Sequence, residues 1–192
     1  MRLFVALAIS AEVRESLASV IRALRVVDAK PKWIPLENLH VTLKFIGEVP
    51  TEKLAAIDDA LTGVRIAEQV KLEFCNIGFF PNDRLPSVAW AGIQATPDLA
   101  ALAATINTVL VPLGLPHEEK TFVPHLTIAR FKKTRLSSAL LAEIEKWKNH
   151  SFGRLSVGEF HLIESKLKAT GAEYTTLRSF SFVRESPESK ES

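Results

Sequence analysis

His40-Val41-Thr42-Leu43-Lys44-Phe45 and, eighty-five residues further on, His125-Leu126-Thr127-Ile128-Ala129-Arg130 are the two stretches on which the reading of this chain turns. Each is His-x-Thr-x with apolar residues at the x positions. In an extended strand, alternate side chains share a face. His40 and Thr42 are therefore expected on one side, and Val41, Leu43 and Phe45 on the other. The second stretch divides in the same way, with His125 and Thr127 opposite Leu126 and Ile128. The apolar face anchors each strand in a core, which leaves the polar face to look into a cleft. A lone histidine on a strand is more often structural than catalytic. Two copies at equivalent points of one chain are a far more specific signal.

Working outward, the chain echoes itself. The first half reads as a strand from Leu3 to Ile9 and a helix over about Ala11 to Val27. In that helix Val13, Leu17, Val20, Ile21 and Leu24 recur at helical spacing, and Ser10 is placed to cap it. A strand over about Leu39 to Ile46 follows, then a turn at Gly47 and Pro50. A helix capped by Thr51 is expected to run to about Leu61, and a strand from Val70 to Phe79. The second half repeats the order. A strand spans about Ser87 to Gln94, and a helix beginning at Pro97 carries Leu99, Leu102, Ile106, Val109 and Leu110. Next come a strand over Thr121 to Phe131, a helix from Ser137 to Trp147 and a strand from Arg154 to Ile163. A final strand over about Tyr174 to Val183 extends the second half, and residues 185–192 read as a frayed tail. His40 and Thr42 match His125 and Thr127 at an offset of 85, while Phe4, Leu54 and Phe74 match Trp90, Leu140 and Phe160 at 86. The repeat thus covers about residues 1–80 and 86–165. Two related halves usually pack about a pseudo-two-fold axis, which would set the two histidine strands across a shared groove.

Two opposed histidines suit displacement at phosphorus. Each titrates near neutrality, so one can take a proton while the other gives one. A strained cyclic phosphodiester needs little more than in-line attack and stabilisation of charge. The Thr42 and Thr127 hydroxyls can donate to the nonbridging oxygens. Arg130 is a candidate phosphate clamp, although strict alternation puts it on the face opposite His125, so that it needs a bulge, a strand end or a long reach. Lys44 has the parity of His40 and is a candidate for the same site. Trp33 and Phe122, each just ahead of a histidine motif, are candidates for stacking on a base. Phe79 and Phe80 are weaker candidates, and Arg130, Lys132, Lys133 and Arg135 form a local basic cluster.

At these residues the sequence resembles the two-histidine (2H) phosphoesterase superfamily, and within it the RNA 2′,3′-cyclic phosphodiesterases, also called 2′-5′ RNA ligases. The similarity runs over nearly the whole chain. It includes Arg2-Leu3-Phe4-Val5-Ala6, the stretch from Asn38 to Val49, the stretch from Phe122 to Arg130, and the late Tyr174 and Leu177. The resemblance implies one bilobal α+β domain over about residues 1–184, with two pseudo-two-fold-related lobes of mainly antiparallel sheet, outer helices and a central cleft. It implies hydrolysis of RNA 2′,3′-cyclic phosphate ends to a 2′-phosphate, with the reverse 2′-5′ joining at the same site. It also implies His40 as proton donor and His125 as proton acceptor; the residues themselves leave that choice open, since the site is nearly symmetric. The implied partner is RNA bearing a cyclic phosphate end, tRNA fragments among them; no cofactor is expected, and a monomer is the expected state.

Composition narrows the rivals. Apolar residues make up 47% and charged residues 24%, and the net charge of +2 argues for no partner by itself. Cys75 is the single cysteine, so no disulfide framework forms within the chain; it sits in an apolar run and reads as an inert thiol. None of His40, His117, His125, His150 and His161 has a partner at metal-ligand spacing, so no metal site is expected. His117, His150 and His161 read as local structural groups. No glycine-rich phosphate loop is present. The apolar start, Leu3 to Ile9, is followed by Glu12, Arg14 and Glu15, which reads as a buried strand rather than a leader. No apolar run approaches a membrane span, and the cytoplasm is the expected location. The remaining alternatives are a 2H enzyme for a cyclic nucleotide, ADP-ribose 1″,2″-cyclic phosphate or a 2′-5′ oligonucleotide, and a non-catalytic RNA-binding module.

Overall fold

Ser10 sets the first helix. Its Oγ accepts a hydrogen bond from the Val13 N–H at 3.2 Å, and the helix then buries Val13, Leu17, Val20, Ile21 and Leu24 along one stripe. The strand before it buries Leu3 through Leu7 without a break, as a strand covered on both faces must. The computed structural model describes residues 1–65, 69–132, 135–169 and 171–182. In chain order the elements are β1 (Arg2–Ala8), α1 (Ala11–Val27), β2 (Lys32–Trp33), β3 (His40–Glu48), α2 (Leu54–Thr62), β4 (Val70–Phe80) and β5 (Val88–Ala95). They continue with α3 (Pro97–Val109), β6 (His125–Arg130), α4 (Ser138–Glu145), β7 (Ser151–Val157), β8 (Glu159–Lys168) and β9 (Gly171–Ser181).

The strands form two antiparallel sheets, one of order β3-β1-β8-β9 and one of order β2-β6-β5-β4-β7. The sheets do not coincide with the halves of the repeat. β1 and β3 of the first half take β8 from the second. β5 and β6 of the second half take β4 from the first. Each half thus lends a long strand to the other's sheet, β4 in one direction and β8 in the other. The helices pack accordingly: α1 lies on β7 and α4, and α3 on β3, β4 and α2. One large apolar cluster includes Leu7, Val41, Phe74, Leu126 and Phe160 and so draws on both sheets.

Several expected boundaries change. Residues Thr51–Lys53 form a 3-10 turn, and α2 begins only at Leu54 without a side-chain cap, so Thr51 does not cap an α-helix. The strand expected from Thr121 begins at His125, because Pro124 has no N–H to give to a ladder. β3 runs on through Gly47, at φ +89°, where a residue with a Cβ would be strained. The single strand expected over Arg154–Ile163 is two strands. β7 ends at Val157 in one sheet and β8 starts at Glu159 in the other, with Gly158 alone between them. The two-residue β2 has no periodicity to reveal it. The tail 185–192 lies outside the described residues. No described helix is long and apolar enough to cross a membrane.

Candidate active site

β3 and β6 lie against each other where the two sheets meet. Their first residues are His40 and His125, and both line one cleft of about 780 Å³ together with Thr42 and Thr127. Each ring is fixed in the same way. The Nδ1–H of His40 donates to the Asn38 carbonyl at 2.7 Å, and the Nδ1–H of His125 donates to the Val123 carbonyl at 2.8 Å. A carbonyl can only accept, so Nδ1 holds the proton in both neutral rings and Nε2 is left to exchange one. Asn38 in turn donates its Nδ2–H to the Ala172 carbonyl at 2.8 Å, which ties the first histidine to the β8–β9 hairpin.

Aromatic rings fix the imidazoles laterally. The centroid of His40 lies 4.8 Å from Phe4 and 5.3 Å, edge-on, from Tyr174. His125 meets Phe80 edge-on at 5.0 Å, and Phe80 packs on Trp90 at 5.2 Å. The environment of His40 holds its pKa below the ordinary histidine value. Burial is the main cause, opposed by the Asn38 hydrogen bond and reinforced by the charges of Arg130 and His125.

Two bulges correct the reading of the side chains beyond the threonines. β1 pairs Val5 with Lys44 and Ala6 with Thr42, so Leu43 is an extra residue in β3. β5 pairs Ala89 with Ala129 and Trp90 with Thr127, so Ile128 is an extra residue in β6. Each bulge reverses the parity of the residues beyond it. Arg130 is thereby turned into the cleft, and Phe45, expected on the core face, lines the cleft and is 63% exposed. Lys44 goes the other way. It is only 6% exposed and donates to Asn107 Oδ1 and to the Pro116 carbonyl, both at 2.7 Å. It is not a cleft residue. A buried ammonium must be paired, and these oxygens, with Glu118 nearby, supply the pairing.

Of the stacking candidates, Trp33 lines the cleft, with its Nε1–H held by the Asp28 carbonyl at 3.1 Å, and so does Phe80. Phe79 packs edge-on against Phe131. Phe122 does not line the cleft, because its ring packs half-buried against the apolar core instead. In the basic cluster Lys133 lies outside the described residues. Phe4 and Tyr174 carry part of the family resemblance, but no motif in the sequence marks them as site residues. The offset pairing of Phe4 with Trp90 is the one available hint. Asn38 and Val123 act through backbone oxygens, which no side-chain pattern marks. A shallower groove of about 500 Å³ near Lys71, Gln94 and Arg154 holds no histidine. Among the described residues, no three His, Cys, Asp or Glu side chains gather as metal ligands do.

The chain matches, over residues 13–169, the family model described as the 2′-5′ RNA ligase superfamily. The chain belongs to the 2′-5′ RNA ligase superfamily. Among similar superfamily proteins is the RNA 2′,3′-cyclic phosphodiesterase of Archaeoglobus fulgidus, 37% identical over 180 residues that cover 94% of this chain and 99% of that one. The RNA 2′,3′-cyclic phosphodiesterase of Methanothermobacter thermautotrophicus is 31% identical, covering 93% and 97%. TT0787 of Thermus thermophilus superposes with a TM-score of 0.81 at 30% identity, covering 97% and 100%. E. coli LigT, solved in complex with 3′-AMP, superposes with a TM-score of 0.76 at 25% identity, covering 95% and 98%. This superfamily member therefore shares the 2H phosphoesterase fold expected from its motifs.

Proposed function

We propose that this chain is an RNA 2′,3′-cyclic phosphodiesterase that opens the cyclic end to a 2′-phosphate by acid–base catalysis from His40 and His125. The observation that carries the reading is the matched pair of imidazoles, each locked by a carbonyl two residues upstream, on adjoining strands that line one cleft. The named relatives add support. Water attacks phosphorus and gives its proton to Nε2 of His125. The bond to the 3′ oxygen breaks on the opposite side, and Nε2 of His40 supplies that oxygen with a proton. The product keeps phosphate on the 2′ oxygen. Thr42 and Thr127 donate to the nonbridging oxygens, and Arg130 offers its guanidinium to the same charge. Trp33 and Phe80 border the space beside the phosphate.

The order of roles follows the superfamily and is consistent with the electrostatics. Before substrate arrives, burial favours neutral His40. The phosphodiester brings a negative charge, which favours the imidazolium and so loads this ring with the proton it will deliver. Reversal of the same steps joins ends through a 2′-5′ linkage. Both proton transfers are made by side chains, so turnover is expected to persist in EDTA.

Product analysis on a short RNA ending in 2′,3′-cyclic phosphate tests the reading. A 2′-phosphate end formed in EDTA is expected. Intact substrate, a 3′-phosphate product, or activity lost on chelation and regained with metal would each contradict it.

A further inference from the structure

The charge lining the cleft exceeds what one cyclic phosphate requires. A cyclic phosphodiester carries a single negative charge. The cleft is lined by three permanent cations, Arg2, Lys32 and Arg130, and by no aspartate or glutamate among the described residues, although the chain has 22 acidic residues to set against 24 basic ones. None of the three forms a salt bridge with a described residue. Two of them are also placed against each other. β2 pairs with β6 so that Lys32 lies directly opposite Arg130. Directly opposed like charges on neighbouring strands repel and weaken the pairing. The arrangement is nonetheless fixed, since the Ile34 N–H donates to the Ile128 carbonyl at 3.0 Å and Trp33 is anchored to Asp28. A two-residue strand thus clips a second cation beside the first, on the strand next to the one that carries His125. Such a pair is relieved by a ligand with more than one negative charge.

We infer that Lys32 forms a second phosphate subsite, which takes the phosphate on the 5′ side of the nucleoside whose cyclic phosphate lies between His40 and His125. The inference rests on the proposed reaction and goes further, because it makes the preferred substrate a strand of at least two nucleotides rather than a cyclic mononucleotide. Arg130 meets the reacting phosphate. Lys32, the next cation outward, meets its neighbour, and Arg2 adds to the field from the β1 side. The same chemistry can come from an internucleotide phosphodiester or from a terminal 5′-phosphate, and the experiment separates them.

The test compares kcat/KM for the parent, Lys32→Ala and Lys32→Arg on three substrates. They are a nucleoside 2′,3′-cyclic phosphate with a free 5′ hydroxyl, the same nucleoside with a 5′-phosphate, and a dinucleotide with a free 5′ hydroxyl and a cyclic phosphate end. The parent is expected to prefer the dinucleotide over the unphosphorylated nucleoside. Lys32→Ala should cut that preference by about tenfold, the order of one charge-assisted phosphate contact, and lower the salt dependence on the dinucleotide by roughly one power of salt concentration. Lys32→Arg should restore both. A gain from the 5′-phosphate alone that matches the dinucleotide identifies a terminal phosphate as sufficient for the subsite. A preference unchanged by Lys32→Ala, or an equal loss on all three substrates, overturns the subsite. A parent that opens none of the three instead refutes the proposed reaction, so the two failures are distinguishable.

Discussion

His40 sits deeper than a surface histidine and pays for it in proton affinity, and this sets its behaviour with pH. Its folded pKa lies below the unfolded value of about 6.5. Protons are therefore bound more readily by the unfolded chain as pH falls. The stability that neutral His40 supports is complete above about 6.5 and is lost as pH falls through the lower folded value. In an NMR titration the His40 ring should change charge below about 6.5, and inorganic phosphate in the cleft should move that change upward. A ring that titrates at or above the ordinary value would show the burial effect to be wrong. The acid-side break of kcat/KM should lie below about 6.5 as well, since the lower of two coupled values sets it. Replacing His40 or His125 with alanine should lower the rate on the order of 10²–10⁴-fold, the worth of a positioned acid or base. Alanine at Thr42 or Thr127 should cost less. Single-turnover assays on cyclic-phosphate RNA decide this, and a histidine whose loss leaves the rate intact has no part in the chemistry.

Among the elements, β3 and β6 show what the sequence can and cannot convey. The polar faces of His40-x-Thr42 and His125-x-Thr127 are legible because alternation holds over those three residues. Beyond them it fails, since Leu43 and Ile128 are bulged. A bulge is a matter of how a strand meets its partner, and neither Leu43 nor Ile128 carries a local mark of it. Alternation alone therefore puts Arg130 on the wrong face, and Lys44 in a cleft from which it is turned away. The helices are legible almost to the residue where a cap and an apolar stripe agree, as in α1. The break between β7 and β8 is hidden because one glycine makes the crossing, without the cluster of turn residues that usually signals one. Lys44 belongs instead to the packing of elements. It ties β3 to the segment between α3 and β6, with Asn107 bridging onward to the Glu118 carbonyl at 3.0 Å. Lys44→Met should cost about 2–3 kcal/mol, because it removes hydrogen bonds to a charged group and leaves the Pro116 carbonyl without its donor. Urea denaturation measures this, and an unchanged midpoint would show the tie to be idle.

On the scale of the whole molecule, the repeat is visible as offsets of 85 and 86 residues, but its spatial meaning is not. Sequence similarity pairs β4 with β8, and the structure shows that each has crossed to the other half's sheet. Nothing in the residues of a strand records which sheet it joins. Chains cut within the exposed segment between β4 and β5 should therefore be unfolded separately and should recover ordered structure and cyclic-phosphate hydrolysis when mixed. Circular dichroism and activity of fragments 1–83 and 84–192, alone and together, check this; a fragment that folds cooperatively by itself would contradict it.

The traded strands also bear on descent. A single ancestral copy of the repeat would have carried one histidine and an unfilled gap beside its own first strand. Two identical copies embracing through those gaps would have completed both sheets and assembled a symmetric reaction centre at their junction. Gene fusion would then have needed only a short link where β4 now turns into β5, after which the two imidazoles would have been free to diverge.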